Sequence, residues 1–377
     1  MIERPEFTIG IEEEYLVVDR GTRDLIRRPP PGMWEQLNEV LGSQVTPEFL
    51  KAQIEVGTKV SNTVAEARDD LAALRRELSS VVAEHGAAII ASSTHPFANW
   101  AQQETTEAPR YRSLAADYQQ IARQLVICGM HVHVGIEERH MRIDLMNQVR
   151  YMLPHLLALS ASSPFWDGHL TGLLAYRLVI FQNMPRTGVP QEFGSWAEYE
   201  RMLEILVDAE LIEDGSKLWW DIRPSSRYPT LEMRVADVCT RLEDAVTVAA
   251  MYQCLLSMLF RLRRNNQRWR TYAPMLIEEN MWRAQRYGTD GSLVDFGKGA
   301  LVPYRELIEE FIEVLAVDAV ELGVRDELRH ARSIVENGTS AHRQIRVYEK
   351  ALADGAGEHE AQQAVVDHLI EDTMYGL

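Results

Sequence analysis

The chain has 377 residues, enough for one large domain or two of ordinary size, and its 46% hydrophobic and 25% charged residues are an ordinary globular mix. With 39 Lys+Arg against 56 Asp+Glu, the formal net charge is -17. So acidic a surface disfavours nucleic acid or an anionic membrane as partner, but admits phosphate ligands where metal ions stand between them and the carboxylates.

The N-terminus, Met1-Ile2-Glu3-Arg4-Pro5, shows no basic-then-apolar signal, and no apolar run approaches the roughly 18–20 residues of a membrane span. Cys128, Cys239 and Cys254 sit in apolar segments without paired short spacing, and so are expected as reduced core residues in a cytoplasmic protein.

Alternation predicts a strand over Phe7–Val18 and a shorter one within Glu48–Lys59. From Asn62 to Gly86, apolar residues fall at Val64, Ala67, Leu71, Leu74, Leu78 and Val81, which predicts an amphipathic helix capped by Asn62 and ended by Gly86. A short buried strand follows at Ala87–Ala91, then a helix over Tyr111–Ile127, a strand over Met130–Gly135 and a helix over Ile143–Ser160. Thr171–Phe181, Lys217–Ile222 and Thr230–Val235 are the later strand candidates. Beyond Leu242 the pattern is helical, over 242–267, 274–287, 303–322, 324–337, 340–353 and 358–372. With no repeat or linker in view, residues 1–377 are expected to form one domain, sheet-rich over 1–240 and mainly helical over 241–377.

Side chains alternate across a strand, so each strand can be read face by face. Phe7, Ile9, Ile11, Tyr15 and Val17 share one face of the first strand, with Glu12 and Glu14 opposite. Ile54 and Val56 oppose Glu55; Met130, Val132 and Val134 oppose His131 and His133; Leu231, Met233 and Val235 oppose Glu232 and Arg234. In one sheet these strands would gather four glutamates, two histidines and an arginine on a single face. Glutamate is a poor strand former, and crowded carboxylates repel by roughly 1–4 kcal/mol per close pair. Divalent cations relieve that repulsion, and an oxygen-rich set with one or two imidazoles suits Mg²⁺ or Mn²⁺ better than Zn²⁺. A solvated polar face is the competing reading of each strand alone. Arg223 and Arg227 lie close in sequence to Glu232 and could fork onto phosphate oxygens.

Gly10-Ile11-Glu12-Glu13-Glu14-Tyr15, Ser93-Thr94-His95-Pro96-Phe97-Ala98, Gly129-Met130-His131-Val132-His133-Val134-Gly135 and the Asp221–Asp237 block resemble the type 2 glutamate–cysteine ligases. These are the bacterial carboxylate–amine ligases, a branch of the glutamine synthetase superfamily. Glu279-Asn280, Trp282-Arg283-Ala284, Tyr287-Gly288 and Glu336-Asn337-Gly338 extend the resemblance along nearly the whole chain.

The resemblance implies an α+β fold with a curved antiparallel sheet forming a funnel-shaped active site, packed by helices. ATP would enter one end and amino-acid substrates the other. It implies metal ligation by Glu12, Glu14, Glu55, His131 and Glu232, and nucleotide-phosphate binding by His133, Arg223, Arg227 and Arg234. Arg223, Arg234 and Glu55 would act in catalysis. No counterpart of the superfamily's acidic metal-binding loop is evident. The implied reaction passes the γ-phosphoryl group of ATP to a carboxylate, glutamate in the prototype. The acyl phosphate is then attacked by an amine such as that of L-cysteine.

Arg177, Arg186 and Arg283 are candidate cations for a substrate carboxylate; His95 lines the cleft or holds a turn, and Trp219 and Trp220 are expected in packing. The loop Asn337-Gly338-Thr339-Ser340 either closes over the site or serves as a helix cap. The helical C-terminal half offers a homodimer face. The rival functions are a metal-dependent hydrolase, a guanidino kinase and a non-catalytic ATP or amino-acid sensor. ATP dependence separates the hydrolase from the ligase.

Overall fold

The structure, a computed structural model, describes residues 3–377. Seven strands form one antiparallel sheet: β1 Ile9–Asp19, β2 Val45–Pro47, β3 Gln53–Gly57, β4 Ala87–Ile90, β5 Met130–Gly135, β6 Ile222–Pro224 and β7 Thr230–Met233. Their spatial order is β6-β7-β5-β1-β3-β2, and β4 pairs with the far end of β1. The register places Glu12 opposite His131, Glu14 opposite Glu55, and Glu232 opposite both His133 and Arg223. The ionisable rows of four strands therefore lie on one face.

The other face is apolar and buried: Ile9, Ile11, Tyr15, Ile54, Val56, Met130, Val132, Val134, Leu231 and Met233 belong to one hydrophobic cluster. Helices α2 Val64–Glu84 and α8 Leu242–Arg264 cover it. Gln253 of α8 donates to the Phe7 carbonyl at 2.7 Å, and Tyr252 donates to the Leu231 carbonyl at 3.2 Å. Helix α8 is long and apolar enough to cross a membrane, contrary to the expectation that no run approaches that length, but 89% of its apolar window is buried within the protein.

Glu13 breaks the apolar row of β1. It is fully buried on the helix-packed face and makes a two-pronged ion pair with Arg75 of α2, at 2.7 and 2.9 Å. Arg75 also donates to the carbonyls of Cys239 and Thr240. One guanidinium thus joins the central strand, helix α2 and the segment that follows β7.

The helical segments past 240 resolve into α8, α9 Pro274–Tyr287, α10 Tyr304–Val314, α11 Ala316–Leu322, α12 Arg325–Asn337, α13 Ser340–Ala353 and α14 Glu358–Thr373. Helix α14 returns to the sheet: it packs on β4, and Thr373 Oγ1 accepts from the Ala91 amide at 3.0 Å.

Several expectations are corrected. Thr63, not Asn62, caps α2, with Glu66 reaching back to the Asn62 and Thr63 amides. The shorter strand expected within Glu48–Lys59 is present as β3, and residues 48–52 before it form the turn of a hairpin in which Thr46 faces Glu55. The helix beginning near Tyr111 starts at Pro109 and stops at Arg123, with Gln119 at a positive φ. Thr171–Phe181 is no strand: Leu174 hands its amide to the Gln285 carbonyl, and Arg177–Phe181 is a short helix. A short apolar run does not separate these outcomes. Lys217 lies in a 3₁₀ turn, and only Trp219–Trp220 of that candidate pairs, outside the main sheet, before β6 begins at Ile222. Helices Met33–Leu41 and Trp196–Asp208, and the hairpin Ser292–Pro303, were not foreseen.

Candidate active site

The ionisable sheet face lines a cleft of about 660 Å³ that includes Glu12, Glu14, Glu55, His131, His133, Arg223, Arg227, Glu232 and Arg234. Every residue singled out for metal or phosphate work therefore reaches one cavity. Two trios of ligand atoms each fall within 4.8 Å of one another: Glu12, Glu55 and His131, and Glu14, Glu48 and Glu55. Glu55 belongs to both.

Glu48 was missed by face reading, because its seven-residue spacing from Glu55 puts it on the wrong parity for one continuous strand. The chain instead turns between β2 and β3 and brings it back. Its carboxylate accepts from the Phe49 amide at 2.8 Å, while Thr46 Oγ1 donates to Glu55 at 3.2 Å. The Thr-Pro-Glu at 46–48, just before the strand, is the one signal of that turn.

The acids are electrostatically frustrated. Burial, then Glu48, pushes the Glu14 carboxyl up to about 7, and burial, then Glu48, Glu12 and Glu14, pushes Glu55 well above the carboxylate range. Neither Glu14 nor Glu55 has an ion-pair partner among the described residues. His131 Nε2 and His133 Nε2 are buried without hydrogen-bond partners. A carboxylate-rich pocket with a buried, unpartnered imidazole nitrogen, His131 Nε2, fits a hard divalent cation.

Other members of the face are already paired. Glu12 lies 3.3 Å from His131 Nδ1 and 3.6 Å from His133 Nε2; burial would raise its pKa, but these imidazoles hold it far below the usual range. His131 is pushed down to about 4 by burial and by Arg234. Burial opposes protonation of His133 too, but Glu12 and Glu232 raise it overall. Glu232 is gripped by Arg223 at 2.8 and 3.0 Å and by Arg234, and these cations outweigh burial and keep it ionised. Arg223 is fixed further by the Ser216 and Leu218 carbonyls, both at 2.8 Å. Arg227 stands exposed at the rim beside Tyr228.

The profile of glutamate–cysteine ligase family 2 matches residues 8–368. The chain belongs to that family. A relative from Rhodospirillum rubrum, provisionally named glutamate–cysteine ligase 2, is 58% identical over 99% of this chain and 97% of its own. Another with that provisional name, from Jannaschia sp., is 50% identical over 97% and 96%. Among solved structures, glutamate–cysteine ligase of Francisella tularensis in complex with AMP is similar with a TM-score of 0.68 at 13% identity, covering 99% of this chain and 90% of that one. A bifunctional glutathione synthetase of Pasteurella multocida gives 0.64 at 15%, covering 97% and 52%. At such identities these two likenesses establish a shared fold alone.

The remaining family motifs divide between cleft and scaffold. His95 is structural: Nδ1 accepts from the Phe97 and Ala98 amides, and Nε2 lies 2.9 Å from the Arg23 carbonyl. Thr339 caps α13 together with His342, and Ser340 bonds Thr240, so the 337–340 loop is anchored. Trp220 packs against Phe193, whereas Trp219 lines the cleft. Of the candidate cations for a substrate carboxylate, Arg177 lines the cleft. Arg186 is bonded to Lys217 and Tyr118, and Arg283 to Ser292.

Proposed function

We propose that the protein is an ATP-dependent carboxylate–amine ligase that forms a γ-glutamyl amide through an acyl phosphate, with L-glutamate and an amine such as L-cysteine as substrates. The observation that carries this is the single cleft in which a Glu–Glu–His trio and a three-carboxylate trio, sharing Glu55, adjoin an arginine-clamped glutamate. Glu12, Glu14, Glu48, Glu55 and His131 would hold Mg²⁺ or Mn²⁺, with Glu232 at the margin of the cluster. When bound, the ions would offset the charge of the nucleotide phosphates. Arg223 and Arg234, held rigid through Glu232, would present guanidinium groups to the transferring phosphoryl oxygens, and His133 and Arg227 would contact the nucleotide side. Preorganisation of this kind needs no side-chain nucleophile: the substrate carboxylate attacks the γ-phosphorus of ATP and expels ADP, and the amine then displaces phosphate from the acyl carbon and gives up a proton as the amide forms.

The three free, buried cysteines support the expected cytoplasmic setting. A homodimer would draw on exposed apolar side chains of the helical half such as Met275, Trp282 and Val317.

The test is release of ADP and phosphate with Mg²⁺ and amino-acid pools, with Glu12→Gln and Glu232→Gln alongside. Release that needs glutamate plus an amine and vanishes in both variants is the expected result. Bound metal with no ATP consumption under any pool would sink the ligase reading and favour a hydrolase or a sensor.

A further inference from the structure

The ionisable face of the sheet is partly roofed. Helix α3, Pro109–Arg123, runs over the cleft, and Arg110, Tyr111 and Leu114 belong to its lining. The inward stripe of α3 is Tyr111, Leu114, Ala115, Tyr118 and Ala122, at the three-and-four spacing of an amphipathic helix. Yet Ala122 alone is buried, whereas α2 on the opposite face of the sheet buries nine side chains. So little apolar contact puts α3 among the segments that open at low cost.

Polar tethers hold it at two ends. Tyr111 Oη donates to the Pro47 carbonyl at 3.1 Å. Just before the helix, the Thr106 amide and hydroxyl donate to the Phe49 and Glu48 carbonyls at 2.9 and 2.6 Å. The root of α3 is thereby fastened to the turn that carries Glu48. At the other end Arg186 Nη2 donates to Tyr118 Oη at 2.6 Å, and Arg186 Nε donates to the Lys217 carbonyl at 3.1 Å. Tyr118 also stands edge-on to Trp219, with ring centres 5.6 Å apart. Pro47 lies in β2 and Lys217–Trp219 leads into β6, so the two tethers come from opposite edges of the sheet. Strain gathers at the second one: Gln119 has φ 49° and ψ −121°, and Arg186 has φ 60°. Residues with a Cβ rarely adopt such settings, which persist where the surroundings enforce them and cluster at clamps and switch regions.

We infer that α3 is a movable cover of the cleft, rooted on the Glu48 turn, and that Arg186 and Tyr118 are the positioning pair that latches it. Release of the latch frees the 109–118 arm, and Gln119 takes up the change in backbone direction. Arg110 faces Glu48 and Asp214 in the latched position. A nucleotide bound with its cation brings phosphate charge to the same side chain and favours closure. That the ligand is a nucleotide rests on the ligase reading; the latch itself does not.

The full chain is followed by deuterium exchange of the 109–123 amides and by trypsin cleavage after Arg110 and Arg112. Both are read with and without Mg²⁺ and a non-hydrolysable ATP analogue, whose binding is measured by calorimetry; α2 is the internal reference. Without ligand, α3 should exchange about tenfold faster than α2, and the bound analogue should slow it about tenfold and shield both arginines. Tyr118→Phe removes only the hydroxyl that Arg186 holds, at a residue outside the cleft lining. It should speed ligand-free exchange several-fold and, by reciprocity, weaken analogue binding by a like factor. Gln119→Gly, which accepts the positive φ freely, should slow exchange. Exchange of α3 as slow as that of α2 without ligand, or unaltered with the analogue bound, overturns the inference and leaves the ligase reading in place. Undiminished analogue affinity in a Tyr118→Phe chain that exchanges faster would deny the pair its positioning role. Closure on the analogue in a chain that consumes no ATP would remove the ligase reading and keep the cover.

Discussion

At the scale of residues, the site is a set of acids kept together against their mutual repulsion. Glu14 titrates near 7 in the folded chain against an ordinary 4.5, so the metal-free native state holds a proton that the unfolded chain has released. The stability from that proton is present below about 4.5 and is lost as pH rises toward 7. Without metal, Glu14→Gln should therefore gain on the wild type across that window, as followed by melting temperature. A bound divalent cation must displace the same protons, so the Mg²⁺-induced rise in Tm should be small at pH 5.5 and grow through pH 7.5. A pH-independent rise would contradict the assignment of Glu14 and Glu55 as ligands. Face alternation made Glu12, Glu14, Glu55, His131, His133 and Glu232 legible in the sequence, since only two periodic positions per strand were needed. Glu48 was not, because it enters from a turn, where no period ties a residue to the sheet; Arg177 was named only as one of three candidate cations, because it sits on a short helix that no period ties to the sheet.

At the scale of elements, the buried Glu13–Arg75 pair fixes how helix α2 sits on the central strand. Removing one partner leaves an uncompensated charge among apolar side chains, at a cost of about 3–5 kcal/mol. Arg75→Met should lower the urea midpoint accordingly, and adding Glu13→Gln should recover part of the loss. An additive double variant would show that the two act separately. Sequence reading placed α2, α8, α9, α13 and α14 well because their apolar spacing runs for several turns. It failed over Thr171–Phe181, where the apolar run is short and a backbone bond to Gln285 decides the local shape. It passed over the Glu13–Arg75 pair because alternation treats any charge on an apolar row as an interruption.

At the scale of the whole molecule, one hydrophobic cluster includes residues from Phe7 to Leu369, which supports reading 1–377 as a single unit. We expect one cooperative unfolding transition by fluorescence and far-ultraviolet dichroism, and no folded product when 358–377 is deleted. Two separated transitions would divide the chain near residue 240. The general architecture was legible because strand-rich and helix-rich halves differ in period, whereas the return of α14 to β4 left no local mark. That return has a consequence for how the chain is made. The middle strand of the sheet is made first, its neighbour β5 and then β7, which pairs with β5, appear more than a hundred residues later, and α14, which packs on β4, follows all of them. Until β7 and α14 have been made, the nascent chain carries unpaired strand edges and a row of unneutralised acids, so folding of the sheet waits on segments far along the chain and its early segments depend on being kept apart from neighbouring chains.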